Sequence, residues 1–207
     1  MIHEGGGIIF EKFYYITPYE NAIKIFKSGY IYSREYAIRK SYIEKDYSDR
    51  DVQNRRRYKK LPNKKMLYEY VPLYINPRNA MLYRYLKEKR NIVILEISNK
   101  ILRIYDHYFS IKNASAEDAI FTKNIKDLEL KKDMIFSKNW YGNKELKQIM
   151  QSEVLIYEKI SVKYIDRVIV NSSKNFYSLR KFANVSYCTP YIEDIFFENA
   201  LKKGEVA

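Results

Sequence analysis

The sequence predicts an α+β fold in which a sheet built from separated strands carries helices on its flanks. Three observations point there. Short β-branched and aromatic runs recur at wide separations along the chain, helix start and stop residues bracket the segment after the first of them, and hydrophobic residues make up 46% of the 207 residues. That much apolar material builds a core rather than a disordered chain. No repeat of roughly 20 to 50 residues and no Pro/Ser/Gly-rich linker divides the chain. Residues 1–207 therefore read as a single domain, with 1–11 a frayed terminus.

Phe13-Tyr14-Tyr15-Ile16 reads as the first strand. In Thr17-Pro18-Tyr19-Glu20 the threonine can cap, the proline suits the first helical position and the glutamate can reach back, so a helix is expected to start there. Ala22, Ile23 and Phe26 share one face of it, and Gly29 supplies a left-handed stop. A basic stretch follows, read as a loop and then a helix around 49–60. Residues 66–85 contain Pro72 and Pro77, which exclude a continuous helix and favour short extended pieces and turns. Strands are expected at 92–97 and 101–105, separated by Ser98-Asn99-Lys100, and again at 153–157 and 164–170. Helices are expected over 175–182 and 191–203.

Several classes of protein are excluded. The longest aliphatic run, Ile92-Val93-Ile94-Leu95, is far short of the roughly 20 residues of a membrane-spanning helix. The N-terminus carries Glu4 where a signal peptide wants bases, which points to the cytoplasm. One cysteine, Cys188, and two histidines, His3 and His107, make neither an internal disulfide nor a Cys/His metal cage, so no metal is expected. His107 reads as a surface residue. Three of the six glycines are Gly5, Gly6 and Gly7, which leaves no glycine-rich phosphate loop of Rossmann or P-loop type.

The formal net charge is +13, and its distribution says more than its size. Between Arg34 and Lys65 twelve bases face five acids, interleaved with Tyr36, Tyr42, Tyr47 and Tyr58. Cations with flat π-faces suit single-stranded nucleic acid, although a solvated Lys-rich face has the same composition. Within the stretch, Arg55-Arg56-Arg57 and Lys59-Lys60 form a dense cation cluster. Glu153 opens an apolar strand after Gln151 and Ser152, at what would be the rim of a sheet. From local sequence it reads first as a solvated strand-end residue, with a functional carboxylate as the alternative.

Taken in order, five blocks resemble the DarT group of nucleic-acid ADP-ribosyltransferase toxins. The most specific is Tyr70-Val71-Pro72-Leu73-Tyr74-Ile75-Asn76-Pro77-Arg78-Asn79-Ala80-Met81-Leu82-Tyr83, similar to the family's Y-V-P-F-Y-F-x-P-R-S-P-M-L-Y. The others are Phe13 to Thr17 for Y-H-I-T, Val52-Gln53-Asn54-Arg55-Arg56 for the Arg-bearing helix, Lys112-Asn113-Ala114-Ser115 for G-[HN]-A-A, and Gln151-Ser152-Glu153-Val154-Leu155 for A-E-F-L. The resemblance implies an ADP-ribosyltransferase-like fold with split central β-sheets, flanking helices and NAD as co-substrate in the cleft between them.

The resemblance also implies catalytic roles for Glu153 and Arg56 and cofactor contacts at Tyr15, Thr17, Asn21, Ser33 and Arg56. Nucleic-acid contacts fall on Arg55, Arg57, Lys59, Lys60, Arg78 and Asn113. Tyr15 stands where the family has histidine. The implied activity is mono-ADP-ribosylation of a base in single-stranded DNA by a monomer, with a macrodomain antitoxin as partner. RNA as target, a catalytically inactive nucleic-acid-binding module, and NAD hydrolysis without transfer are the alternatives.

Overall fold

The computed structural model describes residues 10–170 and 172–182, together with the backbone of 188–189. The expected helix at 191–203 lies outside the described residues, as does most of the expected frayed terminus. Ten strands fall into two sheets: β1 (Lys12–Pro18), β2 (Tyr30–Tyr32), β3 (Tyr70–Tyr74), β4 (Ile92–Ser98), β5 (His107–Ile111), β6 (Ile120–Thr122), β7 (Glu153–Tyr157), β8 (Lys159–Ser161), β9 (Ile165–Val170) and β10 (Cys188–Thr189). Eight of them form one sheet in the order β10-β9-β4-β1-β3-β7-β5-β6, and β2 pairs with β8 apart from it. Apart from the parallel β10–β9 pair, neighbours in the large sheet run antiparallel.

One junction in this sheet is unlike the rest. β1 pairs with β4 along its whole length, from Lys12↔Ser98 to Pro18↔Ile92, and β3 pairs with β7 from Tyr70↔Tyr157 to Tyr74↔Glu153. Between β1 and β3 only Tyr14↔Tyr74 is in register. The sheet thus parts into two half-sheets that touch at that pair and diverge along Tyr15 to Pro18 on one side and Tyr70 to Leu73 on the other. Pro72, with no N–H to give, sits in the strand that lacks a continuous partner on this edge, where a proline is tolerated.

Alternation along the strands sorts the core into faces. Val93, Leu95 and Ile97 of β4, Val71 and Leu73 of β3 and Val154 and Ile156 of β7 meet in one large cluster spanning both half-sheets. Against it pack α1 (Tyr19–Ser28), α5 (Lys126–Glu129), α6 (Lys132–Ile135), α7 (Lys144–Ile149) and α8 (Ser173–Leu179). The opposite face is divided. Ile92 and Ile94 pack beneath Leu82 and Tyr85 of α4 (Ala80–Lys87), whereas Tyr70 and Leu155 pack with Leu61 and Leu67. A cleft is left between these two smaller clusters.

Several expectations need correction. β1 runs on through Thr17 and Pro18 because its ladder with β4 continues there, so Thr17 is a buried strand residue and α1 has no side-chain cap. Gly29 does end α1 as expected, at φ 78°, donating to the Ile25 carbonyl at 3.0 Å. Residues 99–103 form a 3₁₀ helix rather than a strand. Ser98 caps it, Tyr105 N–H bonds the Ile101 carbonyl at 2.9 Å, and Ile101 packs into the core with Tyr105 against it. The two prolines exclude a helix only as far as Pro77: α4 follows, capped by Asn79, whose Oδ1 accepts from Met81 N and Leu82 N at 3.0 and 3.1 Å. Glu153 is not at an exposed rim, because β7 lies between β3 and β5 and the side chain is fully buried.

The basic stretch holds more structure than one loop and one helix: β2, then α2 (Arg34–Arg39), then α3 (Arg50–Tyr58). Tyr164 belongs to a 3₁₀ turn rather than to β9, and α8 starts two residues before the expected 175 because Ser172 caps it.

Candidate active site

α3 is built to turn one arginine inward. Asp49 caps it, its Oδ1 accepting from Asp51 N at 2.9 Å and Val52 N at 3.1 Å. Asp49, Val52, Gln53 and Arg56, at helical spacings of three and four, line a cavity of about 760 Å³ that occupies the parting of the sheet. Arg56 is only 8% exposed, while Arg55 and Arg57 are exposed and off this face. Of three consecutive arginines, only the middle one reaches the cleft.

There Arg56 meets Glu153. Its Nη1 donates to both carboxylate oxygens at 3.0 Å, joining residues 97 apart in sequence. Oε1 also accepts the Ala114 N–H at 3.2 Å. Burying a carboxylate without such partners would cost several kcal/mol. Arg56 Nη2 is buried without a hydrogen-bond partner among the described residues, and so is Gln53 Oε1 one turn earlier. A polar atom desolvated in this way beside a cavity is costly unless a ligand completes it. Arg56 lines the cavity and Glu153 does not, so in this state the guanidinium covers the acid.

The turn after β5 is tied to the residues that lead into β7. Asn113 Nδ2 donates to Gln151 Oε1 at 3.2 Å, and its Oδ1 accepts from Ser115 N and Oγ at 2.9 and 2.7 Å. Lys112 N donates to Ser152 Oγ at 3.1 Å. These bonds aim Ala114 N–H at Glu153. Lys112, where the family block has glycine, takes φ 78°.

The remaining expected residues divide. Tyr15, Thr17, Asn21, Arg78 and Asn113 line the cleft. Burial pushes the Tyr15 phenol up, partly offset by Arg34 and Arg56. Asn21 spends its amide on the chain opposite: Oδ1 accepts from Glu44 N and Lys45 N, and Nδ2 donates to Lys45 O at 2.7 Å. Ser33 is buried as the cap of α2 and does not line the cleft. Lys59, its ammonium pushed down by burial, is bonded to the Ala116 carbonyl, and Lys60 is exposed on a bridge with Met66. Neither lines the cavity.

Residues 42–49 form a flap over the cleft that sequence reasoning treated only as basic loop. Its ties include Asn21, the Arg34–Asp46 ion pair, the Lys24–Glu44 ion pair at 2.6 Å, and Arg84, whose Nη2 donates to Tyr47 O at 2.9 Å and Nη1 to Asp49 Oδ2 at 3.4 Å. Arg34, Gln53, Tyr74, Arg84 and Trp140 all line the cavity without having been singled out. Gln53 and Tyr74 stand inside the quoted family blocks. Arg34 and Arg84 lie outside them, and no local pattern marks them. Cations, amides and aromatic rings around one concave space suit an anionic, partly aromatic ligand.

A central sheet parted over such a cleft, with no glycine-rich phosphate loop, is the ADP-ribosyltransferase-like fold. The chain belongs to the DarT family: the family model described as "ssDNA thymidine ADP-ribosyltransferase, DarT" matches residues 14–191. Among solved structures it is similar to Thermus sp. 2.9 DarT in complex with ADP-ribosylated ssDNA, with TM-score 0.81 and 20% identity over 90% of this chain and 96% of that one. It is similar also to Thermosipho africanus DarTG in complex with ADP-ribose, with TM-score 0.79 and 26% identity over 91% of this chain and 51% of that one. The NAD+ complex of the Thermus protein aligns with TM-score 0.71 and 19% identity, covering 91% of this chain and 98% of that one.

A curated relative from Thermosipho africanus (strain H17ap60334), described as a DNA ADP-ribosyl transferase-DNA ADP-ribosyl glycohydrolase fusion protein, is 29% identical over 183 residues. That alignment covers 84% of this chain and 46% of the relative, so the chain spans about half the length of the curated protein it matches. No helix among the described residues is long and apolar enough to cross a membrane, and no group of three or more ligating side chains occurs there.

Proposed function

We propose that this chain is a single NAD-dependent ADP-ribosyltransferase domain that transfers one ADP-ribose to a thymine base of single-stranded DNA. The observation that carries the reading is the Arg56–Glu153 pair at the floor of the parted sheet. Membership of the DarT family and the likeness to a DarT bound to ADP-ribosylated single-stranded DNA supply the acceptor. DNA is therefore favoured over RNA, and transfer over a binding-only role.

Loss of nicotinamide leaves positive charge at the anomeric carbon, as in glycoside cleavage. A carboxylate at Glu153 holding the ribose 2′-hydroxyl grips harder as that charge develops. Arg56 then has two duties. Its Nη1 braces both oxygens of the Glu153 carboxylate, and its partnerless Nη2 is a donor for the pyrophosphate or for the base losing its proton. Because Arg56 covers the acid here, binding of the dinucleotide must draw the guanidinium aside. Tyr15 and Thr17 line the nicotinamide side of the cleft, with a phenol in place of the family imidazole. Asn21 acts by fastening the flap.

The pairing edge of a base is hidden in a duplex, which favours single strands. The fusion described for the Thermosipho relative suggests a DNA ADP-ribosyl glycohydrolase as partner, expected to be of macrodomain type. The chain is expected to act as a cytoplasmic monomer. Incubation with NAD and oligonucleotides should add one ADP-ribose to thymine-containing single strands and none to Glu153→Ala. Labelling of matched RNA in preference, or release of free ADP-ribose alone, would overturn the proposal.

A further inference from the structure

Tyr74 faces the cleft with a hydroxyl that packing does not explain. It is directly opposite Glu153 in the β3–β7 ladder, and opposed residues of an antiparallel pair project to the same face with Cβ atoms about 5 Å apart. It lines the cavity, which Glu153 does not. Its hydroxyl donates to Met81 Sδ at 3.4 Å, and a thioether is a weak acceptor. A phenylalanine would fill the same space. Burial, reinforced by the charge of Glu153 and opposed by Arg56, pushes the phenol up, so it remains a neutral donor.

We propose that Tyr74 donates a hydrogen bond to a carbonyl oxygen of the target base while the adjacent ring nitrogen becomes the nucleophile. The inference rests on the transfer reaction proposed above. In that reaction the base N–H bond breaks and its proton goes to the Glu153 carboxylate. The electron pair left on nitrogen forms the new bond to the anomeric carbon. The nicotinamide–ribose bond breaks with its pair going to the pyridine ring, which leaves neutral. During this exchange negative charge spreads from the ring nitrogen onto the flanking carbonyl oxygens. A donor already standing in the cleft beside Glu153, held only by a weak thioether acceptor, can turn to that charge and stabilise it. Tyr74 would then act on the acceptor half of the reaction, and Glu153 on both halves.

The test separates those halves. Tyr74→Phe should lower kcat for transfer to a thymine oligonucleotide by roughly 100-fold, the scale of one lost oxyanion donor. KM for NAD and any slow hydrolysis of NAD by water should be unchanged. Replacing the target thymine by 5-fluorouracil, whose ring N–H is more acidic, should restore most of the variant's deficit and help the wild type less. Transfer by Tyr74→Phe at the wild-type rate, or a loss that is the same for both acceptors and for hydrolysis, overturns the role of Tyr74. If Tyr74→Phe does not fold, wild-type rates on 2-thio- and 4-thiothymine decide. Sulfur accepts hydrogen bonds poorly, so one position should be slowed well beyond the other, and equal rates overturn the proposal. Absence of any labelling by the wild type would instead sink the transferase reading itself.

Discussion

Arg56 and Glu153 are each other's principal partner, and this makes their energetics non-additive. Removing the guanidinium leaves a fully buried carboxylate with only the Ala114 N–H beside it. Breaking such a pair from one side costs about 3–5 kcal/mol, whereas neutralising both members costs much less. Arg56→Leu should therefore lower the unfolding free energy by about 3 kcal/mol, and adding Glu153→Gln should recover most of it, measured by denaturant titration of the single and double variants. Additive losses would show that the pair is not coupled. The choice of Arg56 over Arg55 or Arg57 came from the family block alone: Val52, the single aliphatic residue of α3, lies three positions before Arg55 and four before Arg56, so helical spacing does not separate them. The burial of Glu153 was not legible, because it depends on β5 pairing beyond β7, and nothing local to residues 107–111 announced that strand.

Among the elements, the turn that aims Ala114 N–H at Glu153 carries a visible strain. Lys112 holds φ 78°, a conformation costing a side-chain-bearing residue about 1–2 kcal/mol, where the family block has glycine. Lys112→Gly should raise the melting temperature by a few degrees in a thermal scan, even though it gives up contacts with Asp118 and Glu145. A lower melting temperature would mean those contacts outweigh the strain. The flap over the cleft responds to pH through Asp46. Although burial works against it, hydrogen bonds from Arg34 and Ser48 hold its carboxyl below the usual range. A depressed folded-state pKa gives stability present above the unfolded value of about 3.9 and lost as pH falls through the lower folded value. Hydrogen-exchange protection of the Ser48 amide, corrected for its intrinsic rate, should therefore fall below about pH 4, and Asp46→Asn should already show the loss at pH 7. Unchanged protection in both would remove Asp46 as a tie. Propensity failed where tertiary contacts chose otherwise: Ile101 and Tyr105 read as alternating strand residues, yet their spacing of four is also a helical one, and the core beneath 99–103 selects it.

Over the whole molecule, charge is sorted into two populations with different work. Arg34, Arg56 and Arg84 sit in the cleft and are bonded to carboxylates or carbonyls of the chain, whereas Arg55, Arg57 and Lys60 are exposed and off the cavity. The sequence showed the density of the basic stretch but not this division, since only the parting of the sheet decides which cations face inward. If the exposed set guides the strand to the cleft, each cation contributes to affinity through displaced counterions, about 0.7 in the slope of log affinity against log salt for a single strand. Arg55→Ala with Arg57→Ala should therefore flatten that slope by about 1.4 in titrations of a thymine-containing oligonucleotide. The same double variant should keep its kcat at saturating DNA, because neither side chain reaches the Arg56–Glu153 pair. An unchanged slope would assign these arginines to solvent. A reduced kcat at saturation would show that α3 cannot lose its outer cations without disturbing its inner one, and that guidance and chemistry are not separable on this helix.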